Sequence, residues 1–200
     1  MIGHGDDPAP ALEALTDSDP ELRRAALGAA WRLGAIDGPQ LSEFFTDPVP
    51  AVARRAIELA ARVSPEDQHV TVVARRLVAA LGGDHAEGAA FALGELAVAE
   101  DGVVEALVAQ AREAADALER ESAVAALGVL GEGEETVLAA LSDIATVRRR
   151  AVIALANFEG PAVEAALTTA LDDRDWQVRQ AAEDLLTPPD LARTDPPGPD

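Results

Sequence analysis

The chain has 200 residues with 36 acidic and 16 basic side chains, a formal charge of −20, and 48 % apolar residues, enough for a substantial core. That charge argues against nucleic acid and anionic membrane surfaces as partners, because affinity for both comes from basic residues displacing counterions. The absence of Cys excludes disulfides, thiolate metal sites and Cys nucleophiles. With only 3 % aromatic residues the core must be built from Ala, Leu and Val, a composition that favours helices over strands.

The first residues, MIGHGDDPAP, have no basic start and no apolar stretch, so they do not read as a secretory signal. No run approaches the roughly 20 apolar residues needed to span a bilayer. The expectation is a soluble, cytoplasmic chain with a flexible segment over 1–7 and a solenoid over 8–187. Residues 10–16 read as a short opening helix, half a repeat that caps the stack.

From there the chain repeats itself. Six segments align without gaps: LRRAALGAAWRL from Leu22, VARRAIELAARV from Val52, HAEGAAFALGEL from His85, ERESAVAALGVL from Glu119, VRRRAVIALANF from Val147 and VRQAAEDLL from Val178. Their fifth position is always Ala (Ala26, Ala56, Ala89, Ala123, Ala151, Ala182), which lets a neighbouring helix approach closely. The eighth and ninth positions are always Ala or Leu. Positions one, five, eight, nine and twelve form the apolar stripe of one helix face.

Second helices lie between these segments. Residues 66–81 carry a stripe of Val70, Val73, Ala74, Leu77, Val78 and Leu81, and residues 103–118 one of Val104, Leu107, Val108, Ala111, Ala115 and Leu118. Shorter second helices are expected at 39–46, 134–142 and 162–171. Ser18-Asp19-Pro20-Glu21 has the form of a capping box, and Ser64-Pro65 that of an N-cap followed by a first-turn Pro. Gly34, Gly38-Pro39, Gly82-Gly83, Gly131, Gly133 and Gly160-Pro161 mark turns. Residues 188–200 are rich in Pro and acidic, and read as a disordered tail.

DPELRRAALGAAWRLG and VRRRAVIALANF resemble the HEAT repeat, in the short variant named after the phycobilisome lyases. The resemblance covers 8–187. It implies an all-α, right-handed α-α superhelix of about six helix pairs, with first helices convex and second helices concave, and protein partners held on the concave face. His85 and Glu119 depart from the aliphatic first position, and the second helices at 39–46 and 134–142 are short, so irregular curvature is expected there.

Several side chains are candidates for chemistry. Arg23, Arg120, Arg148 and Arg179 occupy the second position, each preceded by an Asp four or five residues earlier: Asp19, Asp116, Asp143 and Asp175. A ladder of Asp–Arg contacts between repeats and at helix N-termini explains them better than an anion-binding row. Arg148-Arg149-Arg150 reads as a solvated face, since three charges fall short of the six to ten phosphate contacts of a tight DNA binder. Arg75, Arg76 and Arg112 sit off the apolar stripes of second helices, among Glu105, Glu113, Glu134, Glu135 and Glu164. They read either as ordinary surface charge or as a mixed groove able to receive an acidic segment of a protein partner. Trp31 and Trp176 are candidate partner contacts or gap fillers, and Phe44 and Phe45 read as core. His4, His69 and His85 have no tight metal-ligand spacing, and Gly128–Gly133 follows a helix and lacks Lys, so it is no phosphate loop. No catalytic, cofactor or metal site emerges.

The expected function is therefore a scaffold or adaptor for a protein or peptide. Two alternatives come from other classes. One is an enzyme or enzyme subunit by analogy with bilin lyases or alkylated-base DNA glycosylases, for which fold likeness is poor warrant. The other is a fixed subunit of a complex, which would expose a large apolar patch.

Overall fold

The computed structural model describes residues 7–187, and the segments 1–6 and 188–200, including His4 and the expected tail, lie outside the described residues. Those described form twelve α-helices and no strand. The first helices of the repeats are α2 (Pro20–Arg32), α4 (Pro50–Ala60), α6 (Ala86–Leu96), α8 (Ala117–Leu130), α10 (Ala145–Ala154) and α12 (Trp176–Leu186). Between them run the second helices α3 (Gly38–Ser42), α5 (Val70–Ala80), α7 (Asp101–Glu113), α9 (Glu134–Ala139) and α11 (Pro161–Ala170), and α1 (Ala9–Ala14) opens the stack. Single 3-10 turns extend α3 to Thr46, α9 to Ser142 and α10 to Asn157.

First helices pack on first helices in the order α2, α4, α6, α8, α10, α12, and second helices α3, α5, α7, α9 form a parallel row behind them. This is the nearest-neighbour arrangement of a solenoid. The repeating stripe makes it possible. All six fifth-position Ala residues are buried, as are Leu27, Ile57, Ala90, Val124 and Val152 one position further on. Where position ten is Gly, helix backbones come together. A Cβ on Gly94 would lie 3.2 Å from Ala126 Cα, and one on Gly128 would lie 2.8 Å from Ala154 Cα.

Three boundaries differ from the sequence expectation, each for a local reason. Ser18 does not cap α2; Asp19 does, its carboxylate accepting from Glu21 N at 2.9 Å, while a capping box forms instead at Asp37 and Gln40. Ser64-Pro65 does not start a helix. Asp67 accepts from His69 N at 2.7 Å and holds a turn, so α5 begins only at Val70. The helix expected to reach residue 118 stops at Glu113, because Asp116 accepts from Leu118 N at 2.8 Å and starts α8 there. Leu118 thus belongs to a first helix, on its exposed side. Phe45 is buried and Phe44 packs against the core, as expected.

Candidate functional site

The second-position arginines do form a ladder, but their carboxylate partners are not the Asp residues that precede them. Asp19, Asp116 and Asp175 use their side chains to cap helices. Arg23 instead grips Asp47 with two parallel bonds of 3.0 and 2.9 Å. Arg120 grips Asp143 at 2.7 and 2.8 Å, and Arg148 grips Asp173 at 2.8 and 2.7 Å. Each partner lies 23 to 25 residues downstream, past the second helix of the same repeat. The third nitrogen of each guanidinium donates to a carbonyl of the loop just before its own helix: Asp17 O, Ala114 O and Asp143 O. Each arginine therefore ties the two ends of one repeat together. The guanidinium bonds hold the Asp47, Asp143 and Asp173 carboxyls below the usual carboxylate range, helped by one backbone N–H each and opposed by burial. These arginines are structural: all three nitrogens of each guanidinium donate within the chain.

The charged residues of the second helices do not converge on one pocket. Arg75 pairs with Glu100 at 3.6 Å and Arg112 with Glu135 at 3.5 Å. Arg76 reaches back to α3, donating to Pro39 O at 3.0 Å and Ser42 Oγ at 2.9 Å. Glu105 and Glu164 are exposed and separate. Of the basic run, Arg148 is in the ladder, Arg150 pairs with Glu121 at 3.1 Å, and Arg149 is exposed. Trp31 is half-buried against the core, whereas Trp176 stands exposed beside Arg149, Ile153 and Leu185 in the furrow between α10 and α12.

A site that the sequence reading missed lies on the outer face of the first helices. A groove of about 450 Å³ runs between α6 and α8, and a second of about 360 Å³ between α4 and α6, meeting at Glu87, Gly88 and Phe91. Phe91 and Val129 are each 58 % exposed and Leu118 47 %, three apolar side chains lining one trough. Its rim carries Glu87, Glu95 and Glu121, the last paired with Arg150, and the adjoining groove adds Asp84, Arg54 and Glu58, which pairs with Arg55. The trough exists because small residues at its floor, Gly88, Gly94, Ala125 and Ala126, keep the helices close and the surface low. Seventh-position residues, off the stacking stripe, could have shown it: Gly28, Glu58, Phe91, Ala125, Ile153 and Asp184 follow no rule.

Among the described residues no group of three or more His, Asp or Glu side chains is placed to hold a metal, and no helix is long and apolar enough to cross a membrane. The architecture is that of an α-solenoid of stacked helix pairs. Comparison with solved structures makes the class specific, a HEAT/armadillo-like repeat solenoid. An engineered protein matches with a TM-score of 0.63 at 21 % identity over 90 % of this chain and 95 % of that one. A designed armadillo repeat protein in complex with the peptide (KR)4 matches with a TM-score of 0.66 at 19 % identity, covering 90 % of this chain and 97 % of that one. The CpcE–CpcF complex of phycocyanin lyase from Nostoc sp. PCC7120 matches with a TM-score of 0.61 at 20 % identity, over 91 % and 76 %. No protein-family model and no curated protein matches the sequence.

Proposed function

We propose that this protein is a scaffold that holds a protein segment in the trough of the first helices, and that the segment is basic with apolar side chains. The observation that carries the reading is the trough itself: Phe91, Leu118 and Val129 exposed together inside a rim dominated by carboxylates. Apolar anchors with a charged surround are the usual anatomy of a recognition surface. The charge of −20 favours a cationic partner through long-range attraction. This differs in both place and sign from an acidic segment bound on the second helices, where Arg75, Arg76 and Arg112 already have partners within the chain. The designed armadillo protein in complex with the peptide (KR)4 supports the reading, as a repeat solenoid that takes a basic segment.

The test is a panel of peptides of equal length in which Leu or Phe alternates with Lys, with Glu or with Ser. Binding is expected for the Lys series alone, weakening with salt, and lost in Phe91→Ser with Val129→Ser while the helical signal is unchanged. Equal binding of the Glu series, or full binding by the double variant, refutes the proposal.

A further inference from the structure

The two ends of the described stack are the two halves of one missing repeat, and we infer that copies of this chain associate head to tail, α12 of one copy against α1 and α2 of the next. The stack begins with a second helix, α1, and finishes with a first helix, α12. Set end to end, α12 and α1 make a helix pair of the same order as α2 with α3.

The ladder makes the same statement in polar groups. Arg179 is already oriented like its counterparts, donating from Nη1 to Asp173 O at 2.7 Å, as Arg148 does to Asp143 O. Its other edge, the one that grips a downstream Asp in Arg23, Arg120 and Arg148, makes no ion pair among the described residues. At the opposite end stands a matching acceptor. Asp17 occupies the loop after α1 as Asp47 does the loop after α3, five residues before the first position. Its carboxylate accepts from Asp19 N at 2.8 Å, just as Asp47 accepts from Val49 N at 2.8 Å and Asp173 from Asp175 N at 2.7 Å. The Asp17 carbonyl accepts from Arg23 at 2.9 Å, but its carboxylate makes no ion pair with an arginine among the described residues. One donor and one acceptor of the same ladder are thus unpaired among the described residues, at opposite ends of the stack.

Apolar residues follow the pattern. Positions eight and nine are buried in α4, α6, α8 and α10, but in α12 they are Leu185 and Leu186, 38 % and 43 % exposed. Position one is buried as Val52, Val147 and Val178, but at the opening end it is Leu22, 49 % exposed, and Leu12 of α1 is exposed as well. The residues that a neighbouring repeat covers elsewhere are bare at both ends. Because the contact joins two different surfaces, it generates a linear array or a ring and not a closed two-fold dimer.

The experiment measures mass against concentration by analytical ultracentrifugation on the full chain, at about 0.15 M salt so that repulsion between acidic copies is screened. The parent is expected to form species that grow with concentration. Asp17→Arg and Arg179→Asp should each raise the concentration needed by at least about tenfold, since each puts like charges across the junction. An equimolar mixture of the two variants restores opposite charges at every junction between unlike copies and should recover association. A variant truncated after Thr187 should associate like the parent. A monomer at every concentration, association indifferent to both charge reversals, or association that appears only on truncation (the tail then occupying the end) overturns the inference.

Discussion

Replacing Gly128 with Ala should destabilise the protein, although Ala is the better helix former. Gly128 lies in the last turn of α8, facing α10. Intrinsic propensity favours Ala there by about 0.8–1 kcal/mol. Against this, the new Cβ would sit 2.5 Å from Ala154 Cβ and 2.8 Å from Ala154 Cα. The Cα is helix backbone and the Cβ is fixed rigidly to it, so neither can swing aside and the two helices must separate. Overpacking of this kind costs about 1–3 kcal/mol, and an obstacle made of backbone places the change in the upper half of that range. The net loss is about 1–2 kcal/mol, or roughly 3–6 °C in melting temperature for a protein of this size. Two controls calibrate the measurement. At Gly94 the nearest atom is Ala126 Cα at 3.2 Å, so clash and propensity should nearly cancel. At Gly88 it is the Ile57 Cγ2 methyl at 3.5 Å, an ordinary contact, and Gly88→Ala should stabilise by about 0.5–1 kcal/mol. Thermal melts followed by circular dichroism should rank the variants Gly88→Ala above Gly94→Ala above Gly128→Ala. A Gly128→Ala protein that melts at or above the parent would refute the close approach of α8 and α10.

Other expectations follow from the same packing. Ala123→Leu and Ala151→Leu, at fully buried fifth positions, should each cost about 1–3 kcal/mol in chemical denaturation, and parent-like midpoints for both would show the repeat register to be wrong. Removing one ladder rung by Arg148→Met should lower stability at neutral pH. Because the folded-state pKa of Asp173 is depressed, that deficit should shrink as pH falls below the unfolded carboxylate value and through the folded one, leaving the part due to the bond from Arg148 to Asp143 O. A deficit that stays constant from pH 7 to pH 2 would mean the rung acts through packing alone. A duplex-DNA gel shift at physiological salt should show no binding, given the charge of −20 and the internal pairing of Arg148 and Arg150.

The first helices were legible because their stripe obeys one rule six times, with Ala at position five and Ala or Leu at eight and nine. The second helices were legible as existing but not in their bounds. Apolar residues run on through Ala114, Ala115, Ala117 and Leu118, so periodicity alone carried the expected helix past its end. The stop is written in Asp116, three residues before a first position as Asp19 and Asp175 are, a comparison that locates the cap. The ladder was legible in its donors and misassigned in its acceptors. An Asp four or five residues away is the nearer partner along the chain, whereas the actual partner becomes near only when a second helix folds back. The trough left only a partial trace, the rule-breaking Phe91 at a seventh position, since its shape depends on how closely α6 and α8 approach.

The ladder is not continuous, and this bears on how the array comes apart. From α8 to α12 it is unbroken: Asp143 receives Arg120 on its carboxylate and Arg148 on its carbonyl, and Asp173 receives Arg148 and Arg179 in the same way. In α4 and α6 the second position is Ala53 and Ala86, so apolar packing alone stands where the rungs would be. In a one-dimensional array, cooperativity is only as strong as its weakest junction. The last three repeats therefore form one unit of opening, and native-state amide exchange should find its protection stepping down at α4–α6 instead of falling evenly toward the ends.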